Sequence, residues 1–226
     1  MSLTVICPML NEIKRVDAWM ANVTQYADQI VVIDTGSEDG TIEYLCGAGT
    51  EFDIMRDYDE PEVRNQLLRM ARGDWVLRLD ADELLIPEDM LALKERLQYV
   101  GADFIWLPHY LFWRSPEFIR VRQYDRGILD SRHFHPNYVP ILWRNSPKVH
   151  YVPGPTPGWN SRLAFGRYGK LGPRICGVYR DKPIRFHYSF VNREFGGTRR
   201  WAEIGESGIK CETYLGPHPE EFKLYK

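Results

Sequence analysis

No apolar run in this 226-residue chain approaches the ~18 residues a spanning helix needs, and no charged-then-apolar leader opens it. Cysteine is scarce. Cys7, Cys46, Cys176 and Cys211 form neither a CxxC pair nor a Cys/His zinc spacing, which excludes a disulfide scaffold and a zinc finger. Cys7 lies in an apolar run and reads as a buried free thiol. A reducing, cytoplasmic setting is the expectation, and peripheral association with a membrane surface is compatible with it. Charge of one sign is also lacking: 29 Lys and Arg stand against 31 Asp and Glu, which argues against a nucleic-acid partner. Neither GxGxxG nor GxxxxGK[ST] occurs, so any diphosphate must be handled by side chains and a metal rather than by a glycine cradle. No serine sits in a GxSxG elbow, which leaves a serine nucleophile unsupported.

What is present is unevenly distributed. Residues 1–100 carry 20 acids against 9 bases, whereas residues 101–226 carry 11 acids against 20 bases. All six histidines and 23 of the 30 aromatic residues fall in the second part. An acidic part and a basic, aromatic part point to two different jobs. Hydrophobic and charged contents of 44% and 27% are those of an ordinary globular chain and exclude disorder, collagen and coiled coil.

The first hundred residues alternate short apolar runs with amphipathic stretches. Leu3-Thr4-Val5-Ile6-Cys7 reads as a strand stopped by Pro8. Val16, Trp19, Met20 and Val23 then recur at helical spacing within 13–27. Ile30-Val31-Val32-Ile33 reads as a strand buried on both faces, 41–46 as a short helix and 52–55 as a third strand. Residues 60–72 carry Pro61 in the first turn and end at Gly73, the expected asymmetry of helix ends. Trp75 to Leu79 reads as a fourth strand, and Pro87 opens another helix. The order β-α-β-α-β-α-β-α predicts an α/β fold with a mostly parallel central sheet flanked by helices.

Ligands collect at the carboxyl ends of such strands, and the polar clusters sit there. Asn11 and Glu12 follow the first strand, Asp34 the second, Asp80 and Asp82 the fourth. Two carboxylates one residue apart repel unless a cation or a ligand donor compensates. Hard oxygen ligands suit Mg²⁺ or Mn²⁺, which complete their shell with water and phosphate oxygens; the alternative is a solvated acidic loop capping the next helix. Asp34 could accept from a ribose hydroxyl or a base N–H, or form an Asx-turn over Thr35-Gly36-Ser37. Glu12 could serve the same pocket or simply favour the next helix start. Arg64 either faces a nucleotide or is an exposed base among acids.

The runs VICPMLNE, IVVIDTGSEDGT and VRNQLLRMARGDWVLRLDADE, in this order and spacing, resemble the N-terminal part of family 2 glycosyltransferases of the GT-A (Rossmann-like) fold. The resemblance covers residues 3–86 closely. It implies that Pro8, Asn11, Glu12 and Asp34 hold the nucleoside of a nucleotide sugar, usually a UDP-sugar. It places Arg64 near the base and phosphates, and makes Asp80 and Asp82 the DxD motif, with Asp82 the direct metal ligand. Residues 1–100 would then form the donor half. Residues 101–226 would form an aromatic-rich acceptor half of the same domain, closing with a helix within 190–211 and a polar tail. In that half, Pro140-Ile141-Leu142-Trp143-Arg144-Asn145 is similar to an RLFRN-type strand. Phe186-His187-Tyr188 is similar to a late His segment that comes near the metal or diphosphate in some relatives, making His187 a third candidate ligand; otherwise His187 is a core residue of a strand.

Glycosyl transfer from such a donor leaves a nucleoside diphosphate, whose developing charge a divalent cation neutralises. Inversion needs a group to take the acceptor proton from the opposite face. Many relatives carry a His-Glu pair after the RLFRN-like strand; this chain reads VHYVPGPTPGW there, with no acid between Asn145 and Asp181. Asp130 is the candidate base, with Asp125 and His150 behind it. Trp106, Tyr110, Phe112, Trp113, Tyr124, Tyr138, Trp143, Tyr151 and Trp159 suit a saccharide acceptor, whose C–H faces pack on rings, although at least half are expected in the core. The expected activity is transfer to a saccharide or other cell-envelope-type acceptor. The rivals are a catalytically silent nucleotide-sugar-binding module and a sugar-nucleotide nucleotidylyltransferase; the latter needs a glycine-rich loop where this chain has CPMLNE.

Overall fold

The computed structural model describes residues 1–57, 59–107, 109–121, 141–154, 161–166, 176–178, 185–191 and 210–224. The first part runs β1 (Leu3–Met9), α1 (Val16–Val23), β2 (Gln29–Asp34), α2 (Thr41–Gly47), β3 (Glu51–Ile54), α3 (Glu60–Met70), β4 (Trp75–Arg78), β5 (Glu83–Leu85) and α4 (Pro87–Arg96). The alternation expected from the apolar pattern is therefore present, with shifted ends. The first strand continues through Pro8 to Met9. Ile6 O accepts from Leu79 N on the β4 side and Met9 O from Thr35 N on the β2 side. By alternation the nitrogen of Pro8 faces β4, whose ladder with β1 has ended at Ile6–Arg78, so its missing N–H costs no bond. Helix α3 is capped by Asp59, whose carboxylate accepts from Glu62 N at 3.0 Å, and it stops before Ala71, which is already extended.

The remaining strands are β6 (Phe104–Trp106), β7 (His109–Val121), β8 (Leu142–Arg144), β9 (Val149–Pro153), β10 (Ser161–Phe165), β11 (Cys176–Val178), β12 (Arg185–Val191) and β13 (Lys210–Thr213). A seven-stranded sheet has the order β11-β6-β8-β4-β1-β2-β3. It is parallel except where β8 pairs antiparallel with β4 and β6. Alternate residues of its strands serve two cores. Leu3, Val5, Cys7 and Met9 pack with Val16, Trp19 and Val23 of α1 and Met90 and Leu93 of α4. Ile6, Val31, Ile33 and Val76 pack with Val63 and Leu67 of α3 and with Val149, Tyr151 and Leu163 of the β9–β10 hairpin. Cover on both faces is what a parallel sheet requires.

A second sheet, in the order β13-β7-β12-β5, takes its edge strand β5 from the first part of the chain. The predicted helix within 190–211 meets strand at both ends, Val191 closing β12 and Lys210 opening β13; the residues between lie outside those described. Residues up to 224 are not a free tail. A 3-10 turn, Glu220–Leu224, returns to α1, where Asn22 Nδ2 donates to Glu221 Oε2 at 3.1 Å.

Six described aromatic residues of the second part gather at this sheet. Phe112, Phe186 and Tyr188 are buried, with Tyr110, Tyr214 and Phe222 packed against them. Phe112 stacks on Tyr188 at 4.9 Å and Tyr188 on Phe222 at 4.5 Å. Trp143 and Tyr151 are buried in the α3-side core. The described rings are thus mainly core. The side chains of Trp106 and Trp113, and Tyr124, Tyr138 and Trp159 entirely, lie outside the described residues.

Candidate active site

Strands β1, β2 and β4 run parallel, with Met9 beside Asp34 and Ile6 beside Arg78. Their carboxyl ends therefore share one edge, and Pro8, Asn11, Glu12, Asp34, Asp80 and Asp82 lie along it. One buried thiol registers the convergence. Burial pushes Cys7 well above its ordinary range; Asp80 and Glu12 push the same way, Arg64 opposes and Asp82 adds to the rise.

At the β2 end, Asp34 is fully buried. Its Oδ1 accepts from Gly36 N and Ser37 N at 2.8 and 2.7 Å, and its Oδ2 from Ser37 Oγ at 2.6 Å. The Asx-turn is real. A carboxylate has about four acceptor sites, so room for one further donor remains. Ser37 Oγ also accepts from Asn11 N at 2.7 Å, and Asn11 Oδ1 accepts from Glu38 N at 2.9 Å. Asn11 is held at φ 55, a left-handed conformation that asparagine tolerates. Glu12 N donates to Thr41 Oγ1 at 2.9 Å while its carboxylate pairs with Arg15 at 2.7 Å. Loops from β1 and β2 are thus tied into one wall.

The DxD turn is closed by the next residue. Glu83 N donates to Asp80 O at 2.9 Å, and Asp80 N to Glu83 Oε2 at 3.3 Å. Glu83 Oε1 in turn faces Arg185 Nη2 at 3.5 Å, both side chains being 2% exposed. Strand β12 lies alongside. Tyr188 N donates to Asp82 O at 2.8 Å, and His187 is in register with Glu83. The backbone therefore brings His187 next to the DxD segment; its side chain lies outside the described residues. Among the described residues no three His, Cys, Asp or Glu side chains form a metal cage.

Arg64 is buried rather than an exposed base, with 8% of its surface accessible. Its Nε donates to Glu60 Oε1 at 2.6 Å, and Nη1 stops 3.8 Å from Asp80 Oδ1. The guanidinium lies 5.6 Å from the centre of the Tyr151 ring. The neighbouring Asn65 points elsewhere: it accepts from Tyr151 N at 2.8 Å and donates to Tyr151 O at 2.9 Å, stapling β9 to α3. Alternation sends His150 to the opposite face of β9, where Nδ1 lies 3.2 Å from the Lys148 carbonyl. Asp130 and Asp125 lie outside the described residues.

Two residues that sequence reasoning passed over complete the cluster. Arg78, the last residue of β4, alternates with Leu77 and Leu79 and so shares the face of Val76 with α3 and Tyr151. Burial alone would pull its guanidinium down; Asp80, Tyr151 and Glu83 hold it above its ordinary value. Tyr151, by sequence one ring among many, has only 2% of its surface accessible. The available signal was a charged residue in an otherwise apolar strand, WVLRL. The Arg78 guanidinium and the Tyr151 hydroxyl interact side chain to side chain, while Arg78 Nε has no hydrogen-bond partner of its own. Arg64 Nη1 and Asp80 Oδ1 face each other as an ion pair at 3.8 Å, too far apart for a hydrogen bond. Leaving buried groups without a hydrogen bond is costly. An anion answers the donors and a cation answers the carboxylate, so the residues at this edge fit a divalent metal bound together with a phosphate group.

The sheet order, with β8 inserted antiparallel and the acidic pair after β4, defines a GT-A glycosyltransferase fold. The model of "Glycosyl transferase family 2" matches residues 4–155, and the chain belongs to that family. An S. aureus TarS fragment (1–349), solved in complex with UDP-GlcNAc, superposes with a TM-score of 0.56 at 16% identity, covering 87% of this chain and 60% of that one. A second crystal structure of S. aureus TarS 1–349 gives 0.53 at 15% identity, covering 83% of this chain and 60% of that one. At these identities the likeness is one of fold. Among curated proteins, a TPR repeat-containing protein of Synechococcus elongatus is 39% identical over 85 residues, which is 37% of this chain and 21% of that protein. An uncharacterized glycosyltransferase of Rickettsia bellii is 26% identical over 93 residues, 41% of this chain and 30% of that protein. The chain thus spans less than a third of the curated relatives it matches. Among the described residues no helix is long and apolar enough to cross a membrane.

Proposed function

We propose that this chain transfers a glycosyl group from a nucleotide sugar, a UDP-sugar, to a saccharide or similar cell-envelope acceptor, with inversion, in the cytoplasm. The observation that carries the reading is the convergence at one strand edge of Asp34, Asp80 and Asp82 with the buried Arg64, whose Nη1 faces Asp80 Oδ1 at 3.8 Å without a hydrogen bond. Asp34, Asn11 and Glu12, beside Pro8, form the nucleoside wall, and Arg64 reaches the phosphates. Asp80 and Asp82 hold Mn²⁺ or Mg²⁺, with His187 the candidate third ligand. When bound, such a cation neutralises the charge that develops on the leaving diphosphate. Asp130 is the proposed base that takes the acceptor proton. Those rings of the second part that do not belong to the described core would line the acceptor side.

A thermal-shift panel of uridine, UDP, GDP, ATP and UDP-sugars, with and without Mn²⁺, tests the donor assignment. UDP or a UDP-sugar should stabilise the protein most, and more with Mn²⁺. A protein that no nucleotide stabilises would not be a nucleotide-sugar enzyme. Incubation with the best donor then separates enzyme from silent module. Slow metal-dependent donor hydrolysis marks the former; binding without hydrolysis of any donor marks the latter.

A further inference from the structure

We propose that the C-terminal 3-10 turn, Glu220–Leu224, positions Asp82 by gripping both elements that flank the short strand β5, into which the DxD turn runs. The inference rests on the reading of Asp82 as a metal ligand. The matched family region ends at residue 155, so this turn and its partner strand β12 lie beyond it.

Strand β5 has only three residues, Glu83–Leu85, and is an edge of its sheet. On one flank it pairs with β12, where Arg185, Phe186 and His187 lie opposite Leu85, Leu84 and Glu83. The pairing runs on into the DxD turn through Tyr188 N, which donates to Asp82 O at 2.8 Å. On the other flank a side chain takes the place of a strand. Asn22 of α1 donates from Nδ2 to Leu85 O at 2.9 Å and accepts at Oδ1 from Leu85 N at 3.0 Å. Asn22 and Tyr188 thus hold the turn and its strand from two sides.

The C-terminal segment grips both holders. Glu221 accepts from Asn22 Nδ2 at 3.1 Å through Oε2, and from Gln25 Nε2 through Oε1. Phe222 stacks on the Tyr188 ring at 4.5 Å. His218 Nδ1 meets the Tyr188 hydroxyl at 2.8 Å, and its ring stacks on Phe222 at 5.0 Å. The buried Tyr26 hydroxyl registers both ends of this path: burial pushes it up, Glu221 adds to the rise and Glu83 adds to it again. Such backing matters at this turn. Asp80 and Asp82 repel each other while no cation is bound, and a three-residue strand offers little backbone to restrain them. A small divalent cation such as Mg²⁺ accepts little departure from octahedral geometry, so the groups behind its ligands help to set its affinity.

Two measurements on the full chain test this. With saturating UDP, the free Mn²⁺ signal in electron paramagnetic resonance gives the Mn²⁺ affinity. Phe222→Ala and Glu221→Ala should each weaken it about tenfold, whereas Phe222→Tyr, which keeps the stacked ring, should match wild type. In metal-free protein, hydrogen exchange is followed at the Glu83 and Tyr188 amides, which bond to Asp80 O and Asp82 O. Exchange there should quicken about tenfold in the two alanine variants, with the amides of β1 and β2 unchanged. Should Phe222→Ala fail to fold, Glu221→Ala carries the comparison. Unaltered Mn²⁺ affinity, or exchange that is unchanged at those two amides or quickened equally in β1 and β2, would overturn the proposal. Wild-type protein that takes up no Mn²⁺ with UDP would instead overturn the metal reading, and the exchange pattern would then decide by itself whether the turn holds the DxD segment.

Discussion

Asn65 and Tyr151, 86 positions apart, are joined by two hydrogen bonds, Tyr151 N to Asn65 Oδ1 at 2.8 Å and Asn65 Nδ2 to Tyr151 O at 2.9 Å. The side chain imitates a strand edge, so one residue of α3 extends the backbone pairing of β9. Asn65→Ala leaves a backbone donor and acceptor unmet and should cost about 1–3 kcal/mol. Urea unfolding measures it. A loss below the error of the method would show that water replaces the staple.

Ser37 links the two strand ends by donating to Asp34 and accepting from Asn11 N. Ser37→Ala should lower stability by about 1 kcal/mol and weaken uridine binding more than pyrophosphate binding, because the nucleoside wall loses its cross-tie. Equal weakening of both ligands would contradict the assignment of this wall to the nucleoside.

The acidic pair should respond to removal of charge without loss of fold. Asp82→Asn should abolish the extra stabilisation that Mn²⁺ adds to UDP, while Asp80→Asn should weaken it. Retention of the full metal response in Asp82→Asn would dismiss it as a ligand.

Glu83 and Arg185 form a buried pair behind the DxD turn. Glu83→Ala takes the facing carboxylate away from a buried guanidinium and should destabilise by about 3–5 kcal/mol. Circular dichroism during thermal unfolding tests it. A melting temperature within a degree of wild type would show that Arg185 is satisfied elsewhere.

His218 Nδ1 pairs with the Tyr188 hydroxyl at 2.8 Å among the rings of the second sheet. Burial lowers its pKa, with a backbone bond to Pro116 opposing. The unfolded chain, titrating near ~6.5, therefore binds the proton first. Stability from this group is full above that value and falls as pH drops below it. The melting temperature should fall more steeply between pH 7 and 5 in wild type than in His218→Phe. Parallel curves would remove His218 as the cause.

The parallel sheet was legible because its signals are local. Val16, Trp19 and Val23 repeat at helical spacing, Pro61 marks a helix start, and acids after the first, second and fourth strands mark the sheet edge. Pro8 misled because a strand-stopping residue is judged from its missing N–H, whereas the neighbour that bond would have reached ends two residues earlier. The proposed helix within 190–211 failed at its ends for the opposite reason. Lys210 and Cys211 belong to a strand only because Val121 and Arg120 lie beside them.

By itself the sequence determined the order of strands and helices in its first part and which residues stand at the strand ends, since periodicity, caps and turns depend on neighbours a few positions apart. Tertiary structure decided what those residues touch. It turned Arg64 from a surface base into a buried cation, placed Arg78 and Tyr151 beside it, and set β12 along the DxD turn. Asn22 meets Leu85 across 63 positions just as Asn65 meets Tyr151 across 86. Such pairings form because buried backbone and side-chain polar groups must find partners, and which partner is in reach depends on how distant segments pack, a property no local pattern carries.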